Sequence, residues 1–486
     1  MSHKKQRRFR RASRRPPASG RKPTAKLPAH TVAASAEALL VLHARFAGCF
    51  GRREQRDWSL FYLCGQLSNL PRKTIEAMVL NLHGADGNAG RDLERFLSQG
   101  RWDQDRMIQQ QQVIAAEGLG EPDGVVIVDG SGFPKQGDHS VGVAYQYCGH
   151  LGKVANCQQG VFLVYASDRG HAFLEAQLYL PEAWFTKAYQ ARWQACRIPA
   201  EVAFRTEPQI ALDMLTQVVQ RAVVPFRWVT ADETYGKSPT FLEGIEQLGK
   251  WFLVEVPSDT RVWLRRPAIE PPGQGLLGRP RTRPRVARSA PAPQEVKALA
   301  AHLPKAAWMR RVIKQGSKGP LVAEFACLRA TTVRDELPGS RRWVIFRRSL
   351  SASRELKVYL SNAPTTCPHS EFIRVSGMRW PVEMALEDGK GEVGMDHYET
   401  RTWLAWHRHM AHAALAHLFL VNLCVQWQKK SSLDRAPGPP IDRTSYRRGR
   451  PPLTRRARHR ALPPMSQSRC LSFASQAHLE EAQPAL

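Results

Sequence analysis

Two aspartates each close an apolar run. Val125-Val126-Ile127-Val128 leads into Asp129, and Phe226-Arg-Trp-Val-Thr-Ala231 leads into Asp232. Unbroken apolar runs of this length suit strands buried on both faces. Open α/β sheets form their sites outside the carboxyl ends of such strands. Two carboxylates on adjacent strand ends repel each other unless a cation bridges them. Hard oxygen donors without a Cys/His pattern select Mg2+ or Mn2+. A pair of these ions about 3.5–4 Å apart stabilises both the attacking and the leaving oxygen at a phosphate. A third acid is then wanted, and Met378-Arg-Trp-Pro-Val-Glu-Met-Ala-Leu-Glu-Asp-Gly-Lys390 offers several. On a helix, Glu383 and Lys390 fall about 20° apart, so one face could present a carboxylate to metal and an ammonium to phosphate. Arg379 shares that face only if the helix begins before Pro381, since Pro prefers the first turn. Gly389 disfavours a helix interior by about 1 kcal/mol, which puts Lys390 past the helix end. Glu387, one turn on, is the runner-up ligand. The competing reading is a turn or helix cap for either aspartate and a solvated charged face for the third segment.

These residues need elements to hold them. Residues from about Ala36 to Glu117 carry apolar positions near helical spacing, broken around Gly84, Gly87 and Gly90. No metal finger or sharp recognition-helix pattern occurs there, so a nucleic-acid contact by these helices would rest on position alone. After the strand at 125–128, strand-like segments follow at Val141–Tyr147, Val161–Ala166 and Phe173–Leu180, with turn residues Gly149, Gly152, Asn156 and Asp168 to Gly170 between them. A helix at Pro208–Val223, the strand ending at Asp232, a helix at Ser238–Leu248 and a strand at Trp251–Val256 complete an α/β pattern with a mixed sheet. Strands return near Arg342–Phe346 and Leu356–Leu360, then helices at Phe372 to about Asp388 and at Trp403–Trp427. His407, His409, His412 and His417 lie on that last Ala/Leu-rich helix and read as packing, with core hydrogen bonds or a DNA contact ahead of a metal. Cys148, His150 and Cys157 are loosely spaced for zinc. Gly130-Ser-Gly132 lacks the phosphate-loop pattern, and Ser131 has no paired His nearby in sequence.

The blocks around the three acids resemble those of bacterial insertion-sequence transposases of the DDE type. Val128-Asp-Gly-Ser-Gly-Phe-Pro-Lys135 with Ser140 to Cys157 is similar to their first catalytic block, and Trp228-Val-Thr-Ala-Asp-Glu-Thr-Tyr-Gly236 to the second. Arg379-Trp-Pro-Val-Glu383 followed by Lys390 resembles the third, a Tyr/Arg/Glu/Lys signature with three residues between Arg and Glu and six between Glu and Lys. Ser376 stands where the signature has Tyr, and Gly130 where relatives are often acidic. The resemblance runs from roughly Ala36 to Gln428. It implies an RNase H-like mixed sheet with flanking helices, an inserted mostly β subdomain and an N-terminal helical domain. It further implies Asp129, Asp232 and Glu383 as catalytic residues holding two Mg2+ (or Mn2+) ions, with Arg379 and Lys390 on DNA. The implied activity is cut-and-paste transposition: cleavage and joining at inverted-repeat ends, on double-stranded DNA, by a homodimer in the synaptic complex. The protein expected is bacterial, cytoplasmic and nucleoid-associated. The organisation implied is a basic arm at 1–35, the helical domain at 36–120, the catalytic domain in two parts at 121–256 and 363–428, the inserted subdomain at 257–362, and a basic tail at 429–486. The alternative is a decayed or domesticated transposase that binds DNA without catalysis.

Composition fits a DNA-acting protein. Among 486 residues, 71 Lys+Arg against 43 Asp+Glu give a net charge of +28, while 43% hydrophobic content is ample for large cores. The excess is concentrated at the ends and in one internal stretch. Eleven Lys/Arg and no acid fall in residues 1–26, five Arg and no acid in 271–294, and twelve basic against four acidic residues from Lys429 onward. Basic, Pro-rich stretches of this kind suit phosphate contacts, since each phosphate neutralised releases condensed counterions; the run Gly278 to Arg285 resembles arms that enter an A·T minor groove. The sequence shows neither a secretory apolar core behind the basic N-terminus nor an uninterrupted apolar run of membrane length. Nine scattered cysteines without a Cys-x-x-Cys pair suit reduced thiols.

Overall fold

The computed structural model describes residues 29–84, 88–273, 281–316, 319–351 and 355–433. The basic terminal stretches lie outside those residues. Five helices open the chain: α1 (Ala29–Ala44), α2 (Arg53–Leu67), α3 (Ile75–Leu82), α4 (Ala89–Ser98) and α5 (Gln104–Leu119). Polar caps start two of them. Thr74 Oγ1 accepts from the Ala77 amide, and Asp103 Oδ1 from the Arg106 amide, each satisfying a donor that the first helical turn leaves unpaired.

The strands that follow are β1 (Val125–Pro134), β2 (Ala144–Cys148), β3 (Lys153–Ser167) and β4 (Gly170–Tyr179). Helices α6 (Gln190–Ala195) and α7 (Glu207–Arg221) lead to β5 (Trp228–Ala231), α8 (Glu233–Gly236), α9 (Pro239–Gln247) and β6 (Trp251–Val256). β1 is the pivot. It pairs antiparallel with β3 on one side and parallel with β5 on the other, while β4 continues beyond β3 and β6 runs parallel beside β5. Val125 to Val128 are all fully buried, as strands covered on both faces require.

Three sequence expectations are corrected here. β1 does not end at Asp129 but runs on to Pro134, because β3 keeps pairing with it after β5 has stopped. The strand expected from Val141 begins only at Ala144, since Gly142 turns the chain at a φ of 70°. Asn156, read as a turn residue, lies within β3 and donates to the carbonyls of Lys135 and Gly137.

From β6 the sheet extends rather than ends. β7 (Arg261–Trp263), β8 (Ile269–Glu270), β9 (Arg285–Val286), β10 (Gln294–Glu295), α10 (Val296–His302), β11 (Met309–Gly316), β12 (Gly319–Arg334), β13 (Leu337–Ser349) and β14 (Leu356–Ser361) follow in order. β14 pairs antiparallel with β6, so these residues build outward from the same sheet through β13, β12, β7 and β10; β8 and β9 form a separate ribbon. In that ribbon Arg285 and Arg281 pair with Glu270 at 2.8 and 3.5 Å. Gly278 and Arg279 of the expected arm lie outside the described residues.

The helix expected across 372–388 is two helices, α11 (His369–Gly377) and α12 (Trp380–Gly391), with Pro381 in the first turn of the second. The last helix, α13 (Trp403–Leu433), crosses the fold against β4, α2, α4 and α5. Its Trp403–Trp427 portion is long and apolar enough to cross a membrane by length and composition, yet it is largely enclosed by the protein. Three of its histidines are satisfied locally. His407 Nε2 meets Gln177 Oε1 at 2.9 Å, His409 Nδ1 meets Tyr62 Oη at 2.6 Å, and His412 Nε2 meets Ser59 Oγ at 3.1 Å. Arg408 donates to the carbonyls of Phe96, Leu97 and Trp102, with its guanidinium 4.4 Å from the Trp102 ring centroid. These contacts join the N-terminal helices to the sheet through one buried helix.

Burial holds His412 down to about 4, with the Arg408 carbonyl opposing. The native state therefore binds fewer protons than the unfolded chain between pH 6.5 and pH 4, and this stability is lost as pH falls. Replacing His412→Gln is expected to flatten the pH dependence by about 1 kcal/mol per pH unit between pH 6 and 5, read from urea midpoints of both proteins. A second outcome follows from α8, where a Cβ on Gly236 would lie 2.0 Å from the Glu255 carbonyl oxygen. Gly236→Ala must push β6 away from α8, and a loss of about 1–3 kcal/mol is expected in the same unfolding measurement.

Candidate active site

Register brings the two aspartates together. The parallel β1–β5 ladder ends at Val128 opposite Ala231, so Asp129 and Asp232 are the next residue on each chain. Asp129 stays in the β1–β3 ladder, and its Oδ1 accepts from the Gly130 amide at 2.9 Å. Burial pushes its carboxyl up to about 7. Arg379 opposes that rise, while Asp232 and Glu383 add to it. Asp232 leaves β5 as the N-cap of α8: its Oδ1 accepts from the Thr234 amide at 2.9 Å. The cap reading is thus realised at Asp232, and the same carboxylate still faces Asp129.

The third segment delivers Glu383 and Arg379 from one helix start. Arg379 is the N-cap of α12 and Glu383 lies in its first turn, with Arg379 Nη1 3.8 Å from Glu383 Oε1. Burial works against the Arg379 charge, but Asp129, Asp232, Glu255 and Glu383 together hold its proton more firmly than usual. A guanidinium therefore stands among the carboxylates as their counter-charge. The three acids do not draw their oxygens within 4.8 Å of one another. Glu387 is exposed on the next turn and is not among the charges acting on Asp129.

The helix boundary expected before Lys390 is corrected. α12 continues through it, because Gly389 packs where a Cβ would meet Met395 and Phe173 at 3.1 to 3.4 Å, so the glycine serves close packing rather than ending the helix. Its Nζ donates to the Gly132 carbonyl at 3.2 Å and sits 4.9 Å from the Phe133 ring centroid. It thus holds β1 three residues beyond Asp129. Ser376, at the Tyr position of the signature, is buried and donates to the Ile373 carbonyl at 2.8 Å.

Two side chains at this site were not singled out from sequence. Glu207, the first residue of α7, approaches Gly130 from the side: a Cβ there would lie 3.0 Å from Glu207 Oε2 and 2.8 Å from Gln159 Nε2. An acid distant in sequence thus lies beside Gly130 in space. Burial and then Asp232 push the Glu207 carboxyl up to about 7, against a hydrogen bond from Gln159. Tyr235 is fully buried behind these acids, and its hydroxyl has no hydrogen-bond partner among the described residues. Burial, then Glu207, Asp129 and Asp232 raise its pKa. The signal for Glu207 was a capping box, Thr206 with Gln209, which starts α7 one residue before the Pro208 expected from sequence.

Residues 45–320 match the family described as DDE superfamily endonuclease, a span that includes Asp129 and Asp232 and stops short of Glu383. A probable transposase for insertion sequence element IS701 from Microchaete diplosiphon is 28% identical over 197 residues, which are 40% of this chain and 47% of that protein. The matched region thus spans about half of that relative's length. Among solved structures, a piggyBac transposase synaptic complex with hairpin DNA aligns at 9% identity and a TM-score of 0.38, over 87% of this chain and 70% of that one. The NurA nuclease from Sulfolobus solfataricus aligns at 12% identity and a TM-score of 0.26, over 68% of this chain and 92% of that one. The family match covers more than half of the sequence, and the chain belongs to the DDE superfamily endonucleases.

Proposed function

We propose that this protein is an insertion-sequence transposase that cleaves DNA at inverted-repeat ends and joins the freed ends to target DNA. The observation that carries the reading is the gathering of Asp129, Asp232 and Glu383 around Arg379, at the point where the β5 ladder releases β1. The sheet order β4-β3-β1-β5-β6, in which only β3 runs against the other four, supports an RNase H-like catalytic domain. In this reading residues 121–256 and 363–428 form that domain, and 257–362 are its insertion.

Asp129, Asp232 and Glu383 would hold two Mg2+ or Mn2+ ions. The donor set suits hard dications: carboxylate oxygens, with the unpartnered Tyr235 hydroxyl behind them and the Asp129 carboxyl pushed up to about 7 by burial, a cost that a bound cation would offset. When bound, such ions polarise the phosphate and stabilise charge on the attacking and leaving oxygens. The chain's own contribution is placement. β1 and β5 fix the two aspartates by register, α12 brings Glu383, and Arg379 supplies a fixed positive charge beside the phosphate. Lys390 keeps β1 straight past Asp129 through its bond to Gly132. Water first attacks the phosphorus at the element end, its new P–O bond forming as the bond to the 3′ oxygen breaks and that oxygen takes a proton. The freed 3′-hydroxyl then attacks a target phosphate in the same way. Pairing two ends calls for a homodimer, and the basic stretches at 1–35 and 429–486 would add phosphate contacts. The protein would act at the bacterial nucleoid, in the cytoplasm.

The test is Mg2+-dependent cleavage of duplexes carrying the flanking inverted repeats. Asp129→Asn, Asp232→Asn and Glu383→Gln are each expected to lose cleavage by about 10²–10³-fold or more at unchanged thermal midpoints, whereas Glu387→Gln stays within about twofold of wild type. Glu207→Gln, which removes a neighbouring charge and not a ligand, is expected to lower the rate by about tenfold. Repeat binding without cleavage by the wild type would instead favour the decayed, DNA-binding reading.

A further inference from the structure

We propose that His171, Asp388 and His417 form a buried Zn2+ site, separate from the acidic cluster, that fixes α12 to the sheet and to α13. The three residues come from β4, α12 and α13, and their exposures are 3%, 7% and 0%. Their candidate donor atoms all lie within 4.8 Å of one another, the one such trio of His, Cys, Asp or Glu among the described residues. His171 Nε2, Asp388 Oδ2 and both ring nitrogens of His417 have no hydrogen-bond partner among the described residues. The His171 Nε2 to Asp388 Oδ2 separation is 4.0 Å, beyond hydrogen-bond range.

Four unsatisfied polar atoms converging in one enclosed place are rare in a native core, where almost every buried polar group finds a partner. The contrast with the same helix is direct. His407, His409 and His412 each bond a side chain within 3.1 Å, and His417, five residues after His412, bonds none among the described residues. Its surroundings are aromatic instead: the His171 ring lies 5.6 Å away, and the Phe173 ring 5.1 Å away edge-on. Two imidazoles and a carboxylate are a donor set for a borderline dication, and zinc takes them at about 2.0–2.2 Å. Ligand atoms around such an ion stand about 3.4 Å apart in tetrahedral geometry, so side-chain rotations of under about 1 Å close the site. The ion would satisfy three of the four orphaned atoms and leave a fourth coordination position for water.

The position of Asp388 gives the site a role. It lies five residues after Glu383, about 140° around α12, so the face of the helix opposite the catalytic acid is the one tied into the core. Zinc there sets the rotation of α12 and with it the direction of Glu383. These three are positioning residues and touch no substrate.

The experiment is metal analysis of the untagged full chain, purified from zinc-supplemented cells and dialysed against a weak chelator. About one Zn2+ per chain is expected in the wild type, falling below about 0.1 in His417→Gln and Asp388→Asn. Cobalt taken up by the wild-type protein should give the intense visible bands of a four-coordinate site, and these should be missing from His417→Gln. Zinc removal should lower the thermal midpoint of the wild type and leave that of the variants unmoved. A wild-type protein that retains no zinc and takes up no cobalt at micromolar metal overturns the proposal, leaving a buried water or a shared proton among the three groups. Equal zinc in wild type and both variants also overturns it, by placing the metal elsewhere. Wild-type zinc content decides the matter even where a variant fails to fold.

Discussion

The parallel pairing of β1 with β5 is the constraint on which the rest depends. Because the ladder ends at Val128 and Ala231, the next residue on each strand is an aspartate, and the two carboxylates are neighbours by register rather than by chance of side-chain rotation. The repulsion this creates must be offset. Arg379 does so from the start of α12, and the same helix turn brings Glu383. Even with Arg379 beside it, burial pushes the Asp129 carboxyl up to about 7, and Asp232 and Glu383 add to the rise. A site built this way binds added positive charge readily, since every member except Arg379 is relieved by it.

Holding α12 in place is then a separate requirement, met from the opposite side. α12 rests against β1, β3 and β4 as well as α13. α13 is anchored in turn by Arg408 and its hydrogen-bonded histidines to α2, α4 and the loop at Trp102. The sheet, the N-terminal helices and the acid-bearing helix therefore share one core, and their apolar side chains form a single connected cluster. A displacement of α13 would be felt at Glu383 through α12.

Much of the site was legible in sequence because its signals are local. The four-residue apolar run before Asp129 shows a doubly covered strand, and the Arg379–Glu383–Lys390 spacing shows a helix face. What escaped depended on contacts distant in sequence. β1 runs past Asp129 only because β3 goes on pairing with it, and Lys390 stays helical only because Gly389 fits against Met395 and Phe173. Glu207 joins the acids through the packing of α7, with nothing beside Asp129 in sequence to announce it. His417 could not be told from His407, His409 and His412, which share its residue type and helix; the difference lies in what other elements place opposite each ring. The organisation of the terminal stretches lies outside the described residues.

The most direct test of the central claim is anomalous scattering from crystals of the full chain grown with Mn2+. The account predicts manganese within coordination distance, about 2.1–2.2 Å, of carboxylate oxygens from both Asp129 and Asp232, with Arg379 still beside them. Manganese absent from that position, with Asp232 engaged only as the cap of α8, would contradict it.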